Sequence, residues 1–298
     1  MSSKLAAVLI ASASAPAVDS DLLAAAGAAL PDSSLRVLHD GVAAEFILPS
    51  EAPEAVLSAL RSAVAGRPID IAILPAEGRR KKLLIADMDS TFIEQECIDE
   101  LAEAFGLAAE IAPITQRAMQ GEIAFEPALR ERVALFRGRA PDEAVARILR
   151  ERVTFTAGGR AAVATLRAAG VHTALVSGGF TSFTVPVAAA LGFDESRGNI
   201  LEMEDGRLAG VLREPVLGSD AKVTALDELL GARGLTRAEA VAIGDGANDI
   251  PMLKAAGLGV AFRAKPAVAA VADVRIDHGD LTALLYLQGY TADEIRAG

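Results

Sequence analysis

The chain has one cysteine, Cys97, in 298 residues. A lone thiol closes no intrachain disulfide framework and builds no cysteine zinc cluster. Long apolar runs are missing too: no stretch approaches the ~20 residues of a bilayer-spanning helix, so nothing reads as a membrane span. Positive charge is in deficit, with 29 lysines and arginines against 40 acidic residues, a formal net charge of −11. That balance argues against a nucleic-acid or anionic-membrane surface. It leaves a small anionic substrate open, because a few local cations or a metal reverse the potential inside one cleft. Internal repeats and low-complexity tracts are absent beyond a general richness in alanine.

The length allows two domains, and 52% hydrophobic content allows a sizeable core. Met1 to Ala17 mimics a secretory signal, with Lys4, an apolar Leu5–Ala11 run and an Ala-Ser-Ala-Pro segment. That run is at the short limit for such a signal, so a first strand over Lys4–Ile10 is the preferred reading, and a cytoplasmic location follows as the expectation. Residues 1–77 then read as strand, helix, strand, strand, helix, strand, with Asp40-Gly41 as a hairpin signal. This order fits a small ferredoxin-like α+β sandwich. It holds no catalytic cluster, which points to regulation or assembly. Glu77 to Lys82 carries Arg79, Arg80, Lys81 and Lys82 and reads as a solvated linker and domain boundary.

From residue 80 the pattern changes. Leu83–Ala86 has the length of a fully buried strand, and it ends abruptly in Asp87-Met-Asp89-Ser-Thr91. From Ile93 to about Phe155 four helices are expected: Ile98–Phe105, Ile111–Met119, Phe125–Leu135 and Pro141–Arg150, punctuated by Gly106, Gly121 and Gly138. Inserted after a strand, they would form a cap over that strand's C-terminal end. Strands then alternate with helices to the C-terminus: Val171–Val176, Ala240–Ile243, Val260–Phe262 and Val274–Ile276. A hairpin is expected around Glu204-Asp-Gly206. The pattern predicts an α/β fold with a doubly wound parallel sheet.

Polar residues of specific type recur in this half: Asp87-x-Asp89, Ser177-Gly178-Gly179, Lys222 at a helix start, and Gly244-Asp245-Gly246-Ala247-Asn248-Asp249. Each alone is an ordinary turn, loop or solvated lysine. Gathered at one sheet edge, they supply a carboxylate nucleophile, a proton donor, metal ligands and charge clamps, the needs of phosphoryl transfer.

In order and spacing these motifs resemble the haloacid dehalogenase (HAD) superfamily of Asp-nucleophile phosphotransferases, over about residues 80–298. Asp87 to Glu100 and Met119 to Arg132 resemble, more narrowly, the phosphoserine phosphatase family. The resemblance implies a HAD-like Rossmannoid core with Asp87 as nucleophile and Asp89 as acid and base. It implies Mg²⁺ held by Asp87, the Asp89 carbonyl and Asp245, with Asn248 and Asp249 in support. Ser177, Gly178 and Lys222 would bind phosphate; Glu96 and Arg132 would grip the amino-acid end, and Phe125 would shield the ester. By the same resemblance Asn248 and Asp249 would support either that metal shell or the phosphate end of the cleft. The N-terminal part resembles ACT-type amino-acid-sensing domains in size, order and position, which implies serine binding or homodimerisation there.

Other readings stay open at this point. Another small phosphomonoester, or phosphoryl transfer to an alcohol, would use the same core motifs. An inert amino-acid-binding sensor would not require the complete Asp87, Asp89, Ser177, Lys222, Asp245 set. Cys97, His172 and Phe180 read as packing residues, and no histidine–cysteine cluster supports another mechanism.

Overall fold

The computed structural model describes residues 4–49, 52–119 and 122–298. The N-terminal region comprises β1 (Lys4–Ile10), α1 (Ser20–Ala29), β2 (Ser34–His39), β3 (Ala43–Pro49), α2 (Pro53–Val64) and β4 (Asp70–Pro75). Its four-stranded sheet has the order β2-β3-β1-β4 with every neighbouring pair antiparallel, the order expected of a ferredoxin-like sandwich. Asp19 starts α1 by accepting the Leu22 N–H at 2.8 Å. The near-continuous apolar run of β1 has a simple cause: both its faces are buried. Ala7 and Leu9 pack with Leu22 and Leu60 under the two helices, while Ala6, Val8 and Ile10 join the larger core of the rest of the chain.

That second face corrects the expectation of a solvated linker at Arg79, whereas Arg80 and Lys82 keep exposed side chains. The Arg79 side chain is only 11% exposed and pairs with the buried Glu45 of β3, which also pairs with Arg36 at 2.8 Å. Arg80 stacks over the Tyr290 ring and pairs with Glu294. The basic stretch is a joint, stabilised by a buried acid that sequence periodicity presents as one more strand residue. Asp70 adds a further tie, accepting the N–H groups of Asp277, His278 and Gly279 at 2.8 to 3.2 Å.

The larger part begins with β5 (Leu83–Ala86) and the cap helices α3 (Cys97–Phe105), α4 (Ala108–Met119), α5 (Phe125–Leu135) and α6 (Asp142–Glu151). These fall within a few residues of the expected bounds; the break expected at Gly121 lies outside the described residues. An isolated bridge between Ile93 and Phe155 ties the two ends of the insertion together. Then come α7 (Gly159–Ala168), β6 (His172–Phe180), α8 (Thr181–Leu191), β7 (Glu195–Asn199), the hairpin β8 (Leu201–Glu204) and β9 (Arg207–Leu212), and α9 (Ser219–Gly231). The chain continues through β10 (Ala240–Gly244), α10 (Ile250–Ala255), β11 (Gly259–Phe262), α11 (Pro266–Ala269), β12 (Val274–Ile276) and α12 (Ala283–Leu287).

The six-stranded sheet is parallel throughout in the order β12-β11-β10-β5-β6-β7. Strands are added on one side of β5 and then on the other, so the topological switch point lies between β5 and β10, where ligands bind in open α/β sheets. Two details differ from the sequence pattern. β7 was not legible, because Glu-Ser-Arg-Gly-Asn lacks apolar and β-branched residues and is defined by its pairing alone. β6 runs on through Ser177-Gly-Gly179 to Phe180, with its register to β7 shifting after Val176. The Ser-Gly-Gly motif is a splayed strand end rather than a turn.

Candidate active site

β5 is buried along all of its length, and it delivers Asp87 and Asp89 to the switch point. Beyond them Ser90 adopts a positive φ of 53°, an uncommon conformation for a serine, and its hydroxyl donates to Glu96 at 2.7 Å. This tight turn carries the chain from the core into the cap. Next to β5, β10 delivers Asp245, whose carboxylate accepts from Thr91 at 3.4 Å. Asp249 folds back against the same strand end: a Cβ on Gly244 would lie 2.4 Å from the Asp249 carboxyl carbon. Only glycine at 244 lets that carboxylate approach.

The structure gathers the expected residues. Asp87, Asp89, Glu96, Phe125, Arg132, Ser177, Gly178, Asp245 and Asn248 line one cleft of about 700 Å³ between core and cap. Lys222 and Asp249 lie behind its wall, both fully buried. The Lys222 ammonium sits 2.7 Å from Asp87 and 2.5 Å from Asp249. In this conformation it is therefore engaged by two carboxylates and does not face the cleft directly.

Asp87, Asp245 and Asp249 bring carboxylate oxygens within 4.8 Å of one another. Burial pushes the Asp87 carboxyl well up and the neighbouring Asp249 pushes it further, with Lys222 opposing. Asp245 is raised to about 6, first by burial and then by Asp249. Burial works against charge on Lys222, but its two carboxylate partners outweigh it and hold the ammonium protonated. One cation against three converging carboxylates leaves negative charge unmet, in an all-oxygen donor set that suits a hard divalent ion. The residues thus fit a metal, with Asp249 in the cluster while its two oxygens also hold Lys222 and the Gly246 N–H.

Asp89 sits differently. Its carboxylate accepts the Cys97 N–H at 2.9 Å and the Ser177 hydroxyl at 3.1 Å, and Gly179 N–H donates to that hydroxyl at 2.8 Å. Burial raises its pKa against the pull of these hydrogen bonds. An upward shift is the one a proton donor needs.

On the cap side, Arg132 and Arg130 separate cleanly. Arg130 pairs on the surface with Glu126 and Glu214, whereas Arg132 is 9% exposed, lines the cleft and donates from Nε to the Ala128 carbonyl at 3.2 Å. Burial lowers the Arg132 pKa, and Asp99 and Glu96 oppose that shift. Glu96 is raised to about 7 by burial in the cleft wall, then by the charge of Asp89. Phe125 stands directly over Gly178: a Cβ there would meet the Phe125 ring at 2.6 Å.

Sequence reasoning missed three contributors. Asn199, buried at the end of β7, donates to the Gly178 carbonyl at 2.8 Å and accepts the Leu217 N–H at 2.7 Å, fixing the Ser177-Gly-Gly179 end of β6 to the segment before α9. Asp99 lines the cleft one helical turn beyond Glu96. Lys265 lines it just beyond the end of β11. Asn199 carried no signal because its strand carried none. Lys265 could have been found from its place at a strand end on the shared sheet edge.

Residues 84–254 match the haloacid dehalogenase-like hydrolase family. The chain is 39% identical over 257 residues to a phosphoserine phosphatase of Streptomyces coelicolor, covering 86% of this chain and 62% of that protein. It spans about three-fifths of the length of such curated relatives. A HAD family hydrolase from Salmonella enterica serovar Typhi superposes with a TM-score of 0.84 at 29% identity, over 96% of this chain and 98% of that one. A phospho-aspartyl intermediate analogue of phosphoserine phosphatase superposes with a TM-score of 0.64 at 38% identity, over 70% and 98%. The chain belongs to the haloacid dehalogenase-like hydrolase family.

Proposed function

We propose that the protein is a Mg²⁺-dependent phosphoserine phosphatase, hydrolysing O-phospho-L-serine to serine and phosphate in the cytoplasm as the last step of serine biosynthesis. The observation that carries the reading is the pairing, across one cleft, of a phosphoryl-transfer core (Asp87, Asp89, Ser177, Asp245) with an amino-acid grip on the cap (Glu96, Arg132). Phosphoserine phosphatases among the relatives support it.

In this mechanism Asp87 attacks phosphorus in line, forming an aspartyl-phosphate, while Asp89 gives its proton to the leaving serine oxygen. Asp89 then takes a proton from the water that opens the intermediate. Asp87, Asp245 and the Asp89 carbonyl, with Asp249 in support, would hold a Mg²⁺ ion, which would supply positive charge to the phosphoryl group. Ser177, the Gly178 N–H and Asn248 hold those oxygens, and Lys222 sets the position and charge of Asp87 from below. Arg132 takes the α-carboxylate, Glu96 the α-ammonium, and Phe125 keeps water from the ester.

The two units divide as residues 1–77 and 80–298, with the cap at about 93–155. For the first we propose an ACT-like regulatory role, binding serine or joining two copies; point substitutions on its outer faces that leave serine inhibition and solution mass unchanged would remove it. The substrate assignment is tested by Glu96→Gln and Arg132→Ala. Both should depress phosphoserine turnover far more than turnover of an aryl phosphate, and equal losses would refute it.

A further inference from the structure

Three cations surround the cleft, and their situations differ. Lys222 is buried and held by two carboxylates. Arg132 is buried at the far, cap end. Lys265 lies on the core side, exposed and at the start of α11. Its backbone N–H donates to the Asp245 carbonyl at 3.3 Å, which fixes the Cα, while among the described residues its ammonium has no hydrogen-bond or ion-pair partner. Lys265 lines the same cleft as Asp245 on the core wall and Glu96 on the cap wall.

The remaining charged lining is acidic: Asp87, Asp89, Glu96, Asp99 and Asp245. A phosphomonoester dianion approaching this wall, on a chain of net charge −11, meets repulsion before it meets Arg132 or the inner phosphate donors. Among the described residues lining the entrance, the exposed Lys265 ammonium, which has no hydrogen-bond or ion-pair partner there, is the group placed to offset it.

We propose that Lys265 is the capture residue of this site: a mobile cation at the mouth that receives the phosphate dianion and passes it inward. The inference rests on the proposed phosphomonoester substrate, and it concerns the approach rather than the chemical step. Lys265 therefore acts through KM and not through the turnover of bound substrate.

The test uses the full-length protein with Lys265→Met and Lys265→Arg, an aryl phosphate and phosphoserine as substrates, and inorganic phosphate binding by calorimetry. Because the side chain is exposed, neither substitution disturbs a core. At low salt Lys265→Met should lower kcat/KM about three- to tenfold for both substrates through KM, with kcat within about twofold. The deficit should shrink at about 0.5 M salt, where the screening length falls to about 4 Å. Phosphate affinity should fall in parallel, and arginine should restore both quantities. Unchanged KM and phosphate affinity, a loss indifferent to salt, or a fall in kcat alone would overturn the proposal. The phosphate titration needs no turnover, so failure on phosphoserine alone would count against the substrate assignment and not against Lys265.

Discussion

Adding one methyl group at Gly178 should disable the cleft without touching a charged residue. The Gly178 carbonyl is held by Asn199 at 2.8 Å, so the backbone cannot easily retreat. A Cβ built there lies 2.6 Å from Cζ of Phe125 and 3.3 Å from Cε1. The ring must therefore move, and with it the start of α5 and the cap's seat on the core. Overpacking of this kind costs about 1–3 kcal/mol. Applied to the closed, substrate-bound state, that is a loss of about five- to 150-fold in kcat/KM. Steady-state kinetics on an aryl phosphate and on phosphoserine read the loss, with circular dichroism confirming an intact fold. Phe125→Leu shortens the obstructing side chain, so adding Gly178→Ala to it should cost far less than adding Gly178→Ala to the native protein. Full activity in Gly178→Ala, or an equal further loss in the Phe125→Leu background, would refute the argument that this contact seats the cap.

Other outcomes follow from the charged groups. Lys222→Met leaves Asp87 and Asp249 buried without their cation, and should lower the unfolding free energy by about 3–5 kcal/mol in a metal-free urea titration; an unchanged midpoint would contradict the buried ion cluster. Glu96 is held near 7, above its ordinary value, so below that pH the free enzyme carries it largely neutral. Its grip on an α-ammonium should strengthen as pH rises through about 7, giving kcat/KM for phosphoserine an ascending limb that Glu96→Gln lacks. An identical profile in the variant would remove Glu96 from substrate recognition. Asp70→Ala strips the acceptor from the N–H groups of Asp277, His278 and Gly279. That should cost about 1–3 kcal/mol and speed amide exchange at those residues, whereas unchanged exchange would show that the tie is not a restraint.

Much of this architecture was legible because burial writes itself into composition. β5 reads as Leu-Leu-Ile-Ala since no face meets water, and the abrupt arrival of Asp87 and Asp89 marks where the sheet ends and a cleft begins. The cap helices were readable from periodicity and glycine breaks; α5 begins and ends at the expected Phe125 and Leu135. What stayed hidden depends on contacts distant in sequence. β7 is a strand only because β6 lies beside it, and its end residue Asn199 acquires a role only once Gly178 and Leu217 are brought near. Arg79 looks solvated until Glu45 is found beneath it. Lys222 was legible as a candidate phosphate clamp, but its complete burial and its pairing with Asp87 and Asp249 are properties of the folded helix α9 that no local pattern records.

The proposed function places Asp87 as the nucleophile of a metal-dependent phosphoserine phosphatase. Phosphate release from O-phospho-L-serine, measured with Mg²⁺ and with EDTA beside an Asp87→Asn control, addresses it most directly. Release should require the metal and disappear in the control. Release that persists in Asp87→Asn, or that is indifferent to EDTA, would contradict it.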